Sequence, residues 1–368
     1  MKPSLLSQVW AQPEQRPELT LTQWETLLGQ ARQASLLGRL AQHYAAHGWL
    51  PLVAQQPRQY LEGALRLVDR QQREVRWEVD CIMRALHRVQ TPVVMLKGAA
   101  YFTAGLPPRE GRLFSDIDIL VERARLPEVE NALFRAGWIS EERDAYNLRY
   151  YREWMHEIPP MRHVQRGTVL DVHHTITPPT SRFKVDGAML LERIQAVDAR
   201  ADLFVLAPED MLLHSAVHLF QEGEFRHGLR DLLDLNDLLL HFGQTPIFWH
   251  SLLQRARTLS LGEPLFHALH HAQGLLGTHI PHDFQQHLHA IAPNFIRRRA
   301  MSALLERALQ PQHPSCDAPL SGVSRWLLYV RSHCLRMPWH LMIPHLVRKA
   351  YMRHFPEKKN AAAVANPT

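Results

Sequence analysis

The segment Asp116-Ile117-Asp118-Ile119-Leu120-Val121 constrains this chain more than any other, because its alternation at the start fits an extended strand with two unlike faces. Residues two apart in a strand share a side, so Asp116 and Asp118 project together while Ile117 and Ile119 face the interior. Two carboxylates about 4 Å apart repel by roughly 4 kcal/mol at an effective dielectric of 20. A cation must lie between them. Magnesium suits, since it takes hard oxygen ligands and is commonly bound by one or two carboxylates together with substrate phosphates.

An isolated Asp-x-Asp also fits a solvated strand end, so its surroundings decide the reading. Upstream, Val93-Val94-Met95-Leu96 reads as a short buried strand ending in Lys97-Gly98, where glycine lets backbone approach a phosphate and Lys97 supplies a point charge. Arg112 stands four residues before Asp116, within reach of the same anion. Downstream, Met161 to Val164 and Val169 to His173 flank Gln165-Arg166-Gly167 as a hairpin that carries a third acid, Asp171. His173 shares the face of Asp171, whereas His174 lies on the opposite side, so the adjacent pair cannot chelate together.

Around this core the pattern is helical. Thr22 and Glu25 form an expected capping box ahead of Leu28, Leu36, Leu37 and Leu40, and a second helix is expected after Pro57. A further helix runs from Leu126 to Ala136 and closes at Gly137. From about Asp186 the chain reads as mainly helical, with amphipathic segments at Glu209 to Phe220 and Gly228 to Phe242. The expected organisation is a helical region over 1–90, a core over 91–180, a helical domain over 181–358 and a disordered tail over 359–368.

Composition narrows the class. With 46% apolar and 21% charged residues the chain is an ordinary folded protein. No secretory leader or membrane-spanning run is legible, which gives a cytoplasmic expectation. Cys81, Cys316 and Cys334 are too few and too scattered for a disulfide framework or a zinc knuckle. A net charge of +6 favours anionic partners without choosing among them, and nucleic acid is not specifically indicated. Although His214 and His218 have i, i+4 spacing, they lack the glutamate of the zinc-protease pattern and read as packing. Asp231, Asp234 and Asp237 with Arg230 read as a salt-bridged helix face. The basic stretch from Arg325 to Arg353, with Pro338 and Pro344 as helix breakers, reads as packing, with peripheral contact to an anionic membrane as its alternative and no stable insertion.

The stretch from Val93 to Trp138, with Leu96-Lys97-Gly98, then Arg112-Leu113-Phe114-Ser115-Asp116-Ile117-Asp118, then Ala136-Gly137-Trp138, resembles the uncharacterised bacterial nucleotidyltransferases of the DNA polymerase β superfamily. Leu170-Asp171-Val172-His173 is similar to their later acidic strand, and His218, Leu229-Arg230 and Asp234-Leu235 to their helical carboxy-terminal part. The resemblance spans roughly residues 35 to 245, and it departs at Ala99, where many members of the superfamily have glycine or serine.

It implies an α+β fold, a small mixed sheet flanked by amino- and carboxy-terminal helical regions. It also implies two Mg2+ (or Mn2+) ions held by Asp116, Asp118 and Asp171, with Asp171 activating the attacking hydroxyl. Lys97, Gly98, Arg112 and Ser115 are then expected at the nucleotide, with His173, His218 and Asp234 as accessory residues and Glu157 or Asp144 in reserve for the third acid. The expected reaction moves a nucleoside monophosphate from an NTP, ATP by default, to a hydroxyl acceptor whose identity the sequence does not give. A non-catalytic nucleotide- or partner-binding protein on the same fold is the competing expectation.

Overall fold

A computed structural model of the chain describes residues 3–197, 200–221 and 223–354. Three helices, α1 (Leu5–Ala11), α2 (Leu21–Gln33) and α3 (Leu37–Ala46), precede the long α4 (Gln55–Leu86). Pro57 sits in the first turn of α4, where no intrahelical N–H is needed. From there Leu61, Ala64, Val68, Val75, Val79, Ile82 and Leu86 are buried at helical spacing. The capping box of α2 is Thr20 with Gln23 rather than Thr22 with Glu25. Both pairs satisfy the pattern. In the structure Thr20 Oγ1 accepts from the Gln23 backbone N–H while Gln23 Oε1 accepts from that of Thr20, at 3.3 and 2.9 Å.

The described residues then form a seven-stranded sheet interleaved with helices: β1 (Val93–Leu96), α5 (Lys97–Thr103), β2 (Ile117–Leu120), α6 (Leu126–Arg135), β3 (Trp138–Ser140), α7 (Ala145–Trp154), β4 (Met161–His163) and β5 (Val169–His173). After α8 (Gly187–Leu191) come β6 (Gln195–Val197) and β7 (Arg200–Val205). The strand order is β3-β4-β5-β2-β1-β7-β6. β2 runs parallel to β5 and antiparallel to β1, and β7 joins β1 in parallel. The sheet therefore continues past residue 180, into a stretch that reads as mainly helical. In β7 the apolar signal is short, with Arg200 and Asp202 within it, and pairing of Val93 with Leu203 makes it a strand.

The remaining chain is helical: α9 (Pro208–Gln221), α10 (Gly228–Phe242), α11 (Pro246–Thr258), α12 (Gly262–Leu276), α13 (His282–Ile291), α14 (Phe295–Ala308), α15 (Ser321–Arg336) and α16 (Trp339–His354). Pro338 does separate α15 from α16, but Pro344 lies inside α16. The missing donor is the one that would serve the His340 carbonyl in the first turn, and His340 is exposed, so water can serve it instead. The expected tail over 359–368 lies outside the described residues. Among the described residues no helix is long and apolar enough to cross a membrane.

α9 packs against α10, α11 and α12, and this bundle holds several buried polar groups. Asp210 is fully buried and takes two hydrogen bonds from Arg255, at 2.6 and 2.8 Å. His267 and His271 of α12 lie against Phe220 of α9, and both ring nitrogens of His267 are buried without a hydrogen-bond partner. The amino-terminal layer meets the core at a close backbone crossing. A Cβ on Gly38 would come within 2.4 Å of the Gly111 carbonyl oxygen, and Gly111 itself has φ +68°. Only glycine fits either place.

Candidate active site

The parallel pairing of β2 with β5 sets Asp118 directly beside Asp171, so the two carboxylates share one face of the sheet. Ile119 and Val172, their register neighbours one step on, are buried on the other face. Asp116 is half-buried just before β2, and Ser115 Oγ donates to its Oδ1 at 2.8 Å. Ser115 thereby orients Asp116.

Asp118 is buried, and one of its oxygens takes two contacts. Lys97 Nζ donates to Oδ1 at 2.9 Å, and His173 Nε2 lies 3.0 Å from the same atom. Burial alone would push this carboxyl up, but the Lys97 ammonium and the His173 hydrogen bond outweigh it and hold Asp118 well below the usual carboxylate range. Lys97 adopts φ +46°, an uncommon conformation for a lysine, at the junction of β1 and α5. Asp171 has the opposite environment. Burial, then the charges of Glu157 and Asp118, push it up to about 7, with His173 opposing. Its Oδ1 is buried and has no hydrogen-bond partner.

Glu157, a reserve candidate by sequence, belongs to this group: it pairs with His173 in an isolated antiparallel bridge, and its Oε2 lies 3.4 Å from His173 Nε2. His156 beside it and His214 of α9 were not legible as site residues. Burial, reinforced in His156 by the charge of His173 and in His214 by that of Lys97, holds both imidazoles well below their usual range. Tyr151 of α7 is pushed up to about 12 by burial and by the nearby Glu157. The sequence signal for His156-Glu157 is weak because the pair sits in an irregular stretch between α7 and β4 and acquires its partners only through the fold. Asp144, the other reserve, caps α7 by accepting from the Asn147 N–H at 2.9 Å.

The remaining expected residues form a layer behind the acids. Arg112 is buried and ion-paired with Asp234, which also takes a 2.8 Å bond from Arg39 of α3. A Cβ on Gly98 would lie 2.9 Å from Arg112 Nε and 3.1 Å from the Phe114 ring. Gly98 is thus required by packing, whatever ligand approaches it. Ala99 is buried, so its missing hydroxyl is not a missing ligand contact on an open surface. His218 lies one turn beyond His214, near Asp231, whose carboxyl it helps to lower together with Arg230.

Two cavities lie on the elements that carry the acids. One of about 110 Å³ reaches Asp116, lined by Gln71, Phe114, Ser115 and Thr168. A larger one of about 750 Å³ opens past the carboxy-terminal ends of β2 and β5, between Arg123, His174, Lys184 and Gly187. The acids themselves are oxygen donors suited to a hard divalent cation, and the unpartnered oxygen of Asp171 is a buried acceptor that such a cation would satisfy.

Searches for similar curated proteins and similar solved structures returned no match. The family model described as uncharacterised nucleotidyltransferase matches residues 20–277, a span that takes in α2 through α12, the whole sheet and every acid described above. The chain accordingly belongs to this nucleotidyltransferase family, and nucleotidyl transfer is its general activity.

Proposed function

We propose that the protein is a divalent-metal-dependent enzyme that moves a nucleoside monophosphate from an NTP to an acceptor hydroxyl. The observation that carries this reading is the pairing of Asp118 and Asp171 on adjacent parallel strands, with Asp116 two residues upstream and near enough for its charge to act on Asp171. Asp116, Asp118, Asp171 and Glu157 bring four acids together, and Lys97 and His173 contact Asp118. Such a cluster of carboxylate oxygens suits Mg2+ or Mn2+.

Asp116 and Asp118 would hold the ions, with Asp171 as third ligand; when bound, they would neutralise triphosphate charge and favour departure of pyrophosphate. The acceptor oxygen forms a bond to the α-phosphorus, the bond from that phosphorus to the bridging oxygen breaks, and pyrophosphate carries away the electron pair. Asp171 takes the hydroxyl proton. Ser115 keeps Asp116 oriented, and Arg112, anchored on Asp234, supports the loop that carries it.

The reading is tested by melting the protein with and without Mg2+ or Mn2+, because a ligand that binds only the native state raises stability by mass action. The parent should show a metal-dependent rise that Asp116→Ala loses. The same rise in both proteins would remove Asp116 from the ligand set. Transfer of label from α-labelled NTP to a cell extract then tests the reaction itself.

A further inference from the structure

We propose that His156, Glu157 and His173 form a second metal site, of different chemistry from the aspartate site, that takes a divalent transition-metal ion such as Zn2+. One ligand atom from each of the three residues lies within 4.8 Å of the others. Donors about an ion with bonds near 2.0–2.2 Å stand at most roughly 4 Å apart, so small side-chain rotations bring the set into range. Two imidazoles and a carboxylate with an open position are a nitrogen-rich set, which zinc and its first-row neighbours accept and magnesium does not favour.

A second observation points to a ligand in the same place. Nδ1 of His156 and Nδ1 of His173 are both buried without a hydrogen-bond partner, as is Oδ1 of Asp171. Three such atoms on neighbouring side chains leave room for an ion or water to serve all of them. The rings of His156 and His173 are 5.1 Å apart and tilted by 42°, so they are neighbours without stacking flat on one another. Asp118 supplies the support usual for a metal-binding histidine. When an ion displaces the Nδ1 proton of His173, Nε2 keeps its bond to that carboxylate at 3.0 Å and Nδ1 carries the lone pair. Asp118 would then join the two sites, as ligand in one and hydrogen-bond acceptor in the other.

The test uses tag-free full-length protein stripped of metal, given excess Mg2+ to fill the aspartate site and then one equivalent of Cu2+, which prefers imidazole nitrogen, followed by pulsed electron paramagnetic resonance. Expected is a nitrogen-14 modulation from two coordinated imidazoles, reduced to one or lost in His156→Ala and in the milder His156→Gln, and kept in full in Asp116→Asn. Zinc analysis after dialysis should show one equivalent retained by the parent and none by the His156 variants. Absence of nitrogen coupling in the parent overturns the proposal whether or not the variants fold, and so does two-nitrogen coupling that is unchanged in both His156 variants. The aspartate site fails separately: loss of the Mg2+-dependent rise in melting temperature belongs to Asp116→Ala, not to His156→Gln.

Discussion

Replacing His267 by leucine should flatten the acid limb of the stability curve. His267 is fully buried in α12, and burial, helped by the charge of Arg331, lowers its pKa from 6.5 to about 3. The folded protein therefore keeps this imidazole neutral where the unfolded chain protonates it. Between pH 6.5 and about 3 the unfolded state binds more protons, so stability falls as pH falls through that window and no further below it. At pH 5 the lag behind the unfolded pKa is 1.5 units, and at about 1.4 kcal/mol per unit the residue costs about 2 kcal/mol there relative to neutral pH. Leucine has no proton to take up and removes two ring nitrogens that have no partner, which adds stability at every pH. Urea unfolding followed by tryptophan fluorescence at pH 7 and pH 5 provides the readout. The parent should lose about 2 kcal/mol more than His267→Leu between the two conditions. Parallel losses in the two proteins would show that His267 is not held neutral, and the reasoning would fail.

Asp171→Asn should keep NTP affinity within a few-fold in calorimetry while lowering transfer by about 100-fold or more, since the amide cannot take the acceptor's proton; an equal loss of both would make Asp171 a binding residue only. Lys97→Ala should lower the melting temperature of the metal-free protein and enlarge the rise that Mg2+ produces, because Asp118 loses its ammonium partner at 2.9 Å; an unchanged rise would show that the pair does not compete with metal. Arg255→Ala should cost about 3–5 kcal/mol by stranding Asp210, with much of it recovered in the double variant Arg255→Leu, Asp210→Leu. Gly187→Ala should destabilise strongly, since its Cβ would fall 2.0 Å from the His174 carbonyl oxygen; a melting temperature equal to the parent's would refute the close approach.

The strand that carries Asp118 was legible from its alternation, although Asp116 stands just before it, and the hairpin around Arg166-Gly167 exposes β5 as a strand. That Asp171 neighbours Asp118 depends on a parallel pairing between segments 53 residues apart, which no local pattern encodes. Lys97 and Arg112 were legible as cations, but not their anions: Lys97 meets Asp118, and Arg112 meets Asp234 from a helix far down the chain. His156 escaped, and Glu157 stood only in reserve, because an irregular segment carries no periodicity from which a facing can be read. β7 escaped for a related reason. Its residues become a strand through their partner β1, and their own composition argues for little.

The crossing of Gly38 over Gly111 bears on where this protein can be divided. A fragment cut at residue 90 would look complete by motif, since it retains every acid of the site. It would nevertheless lose the backbone surface that seats the loop leading to Asp116, and Arg39 with it, so Asp234 would keep one arginine where the whole protein gives it two. The amino-terminal helices are in this sense the outer half of the loop's mould. Shuffling them between relatives should carry the two glycines and the Arg39–Asp234 pair as one inherited block.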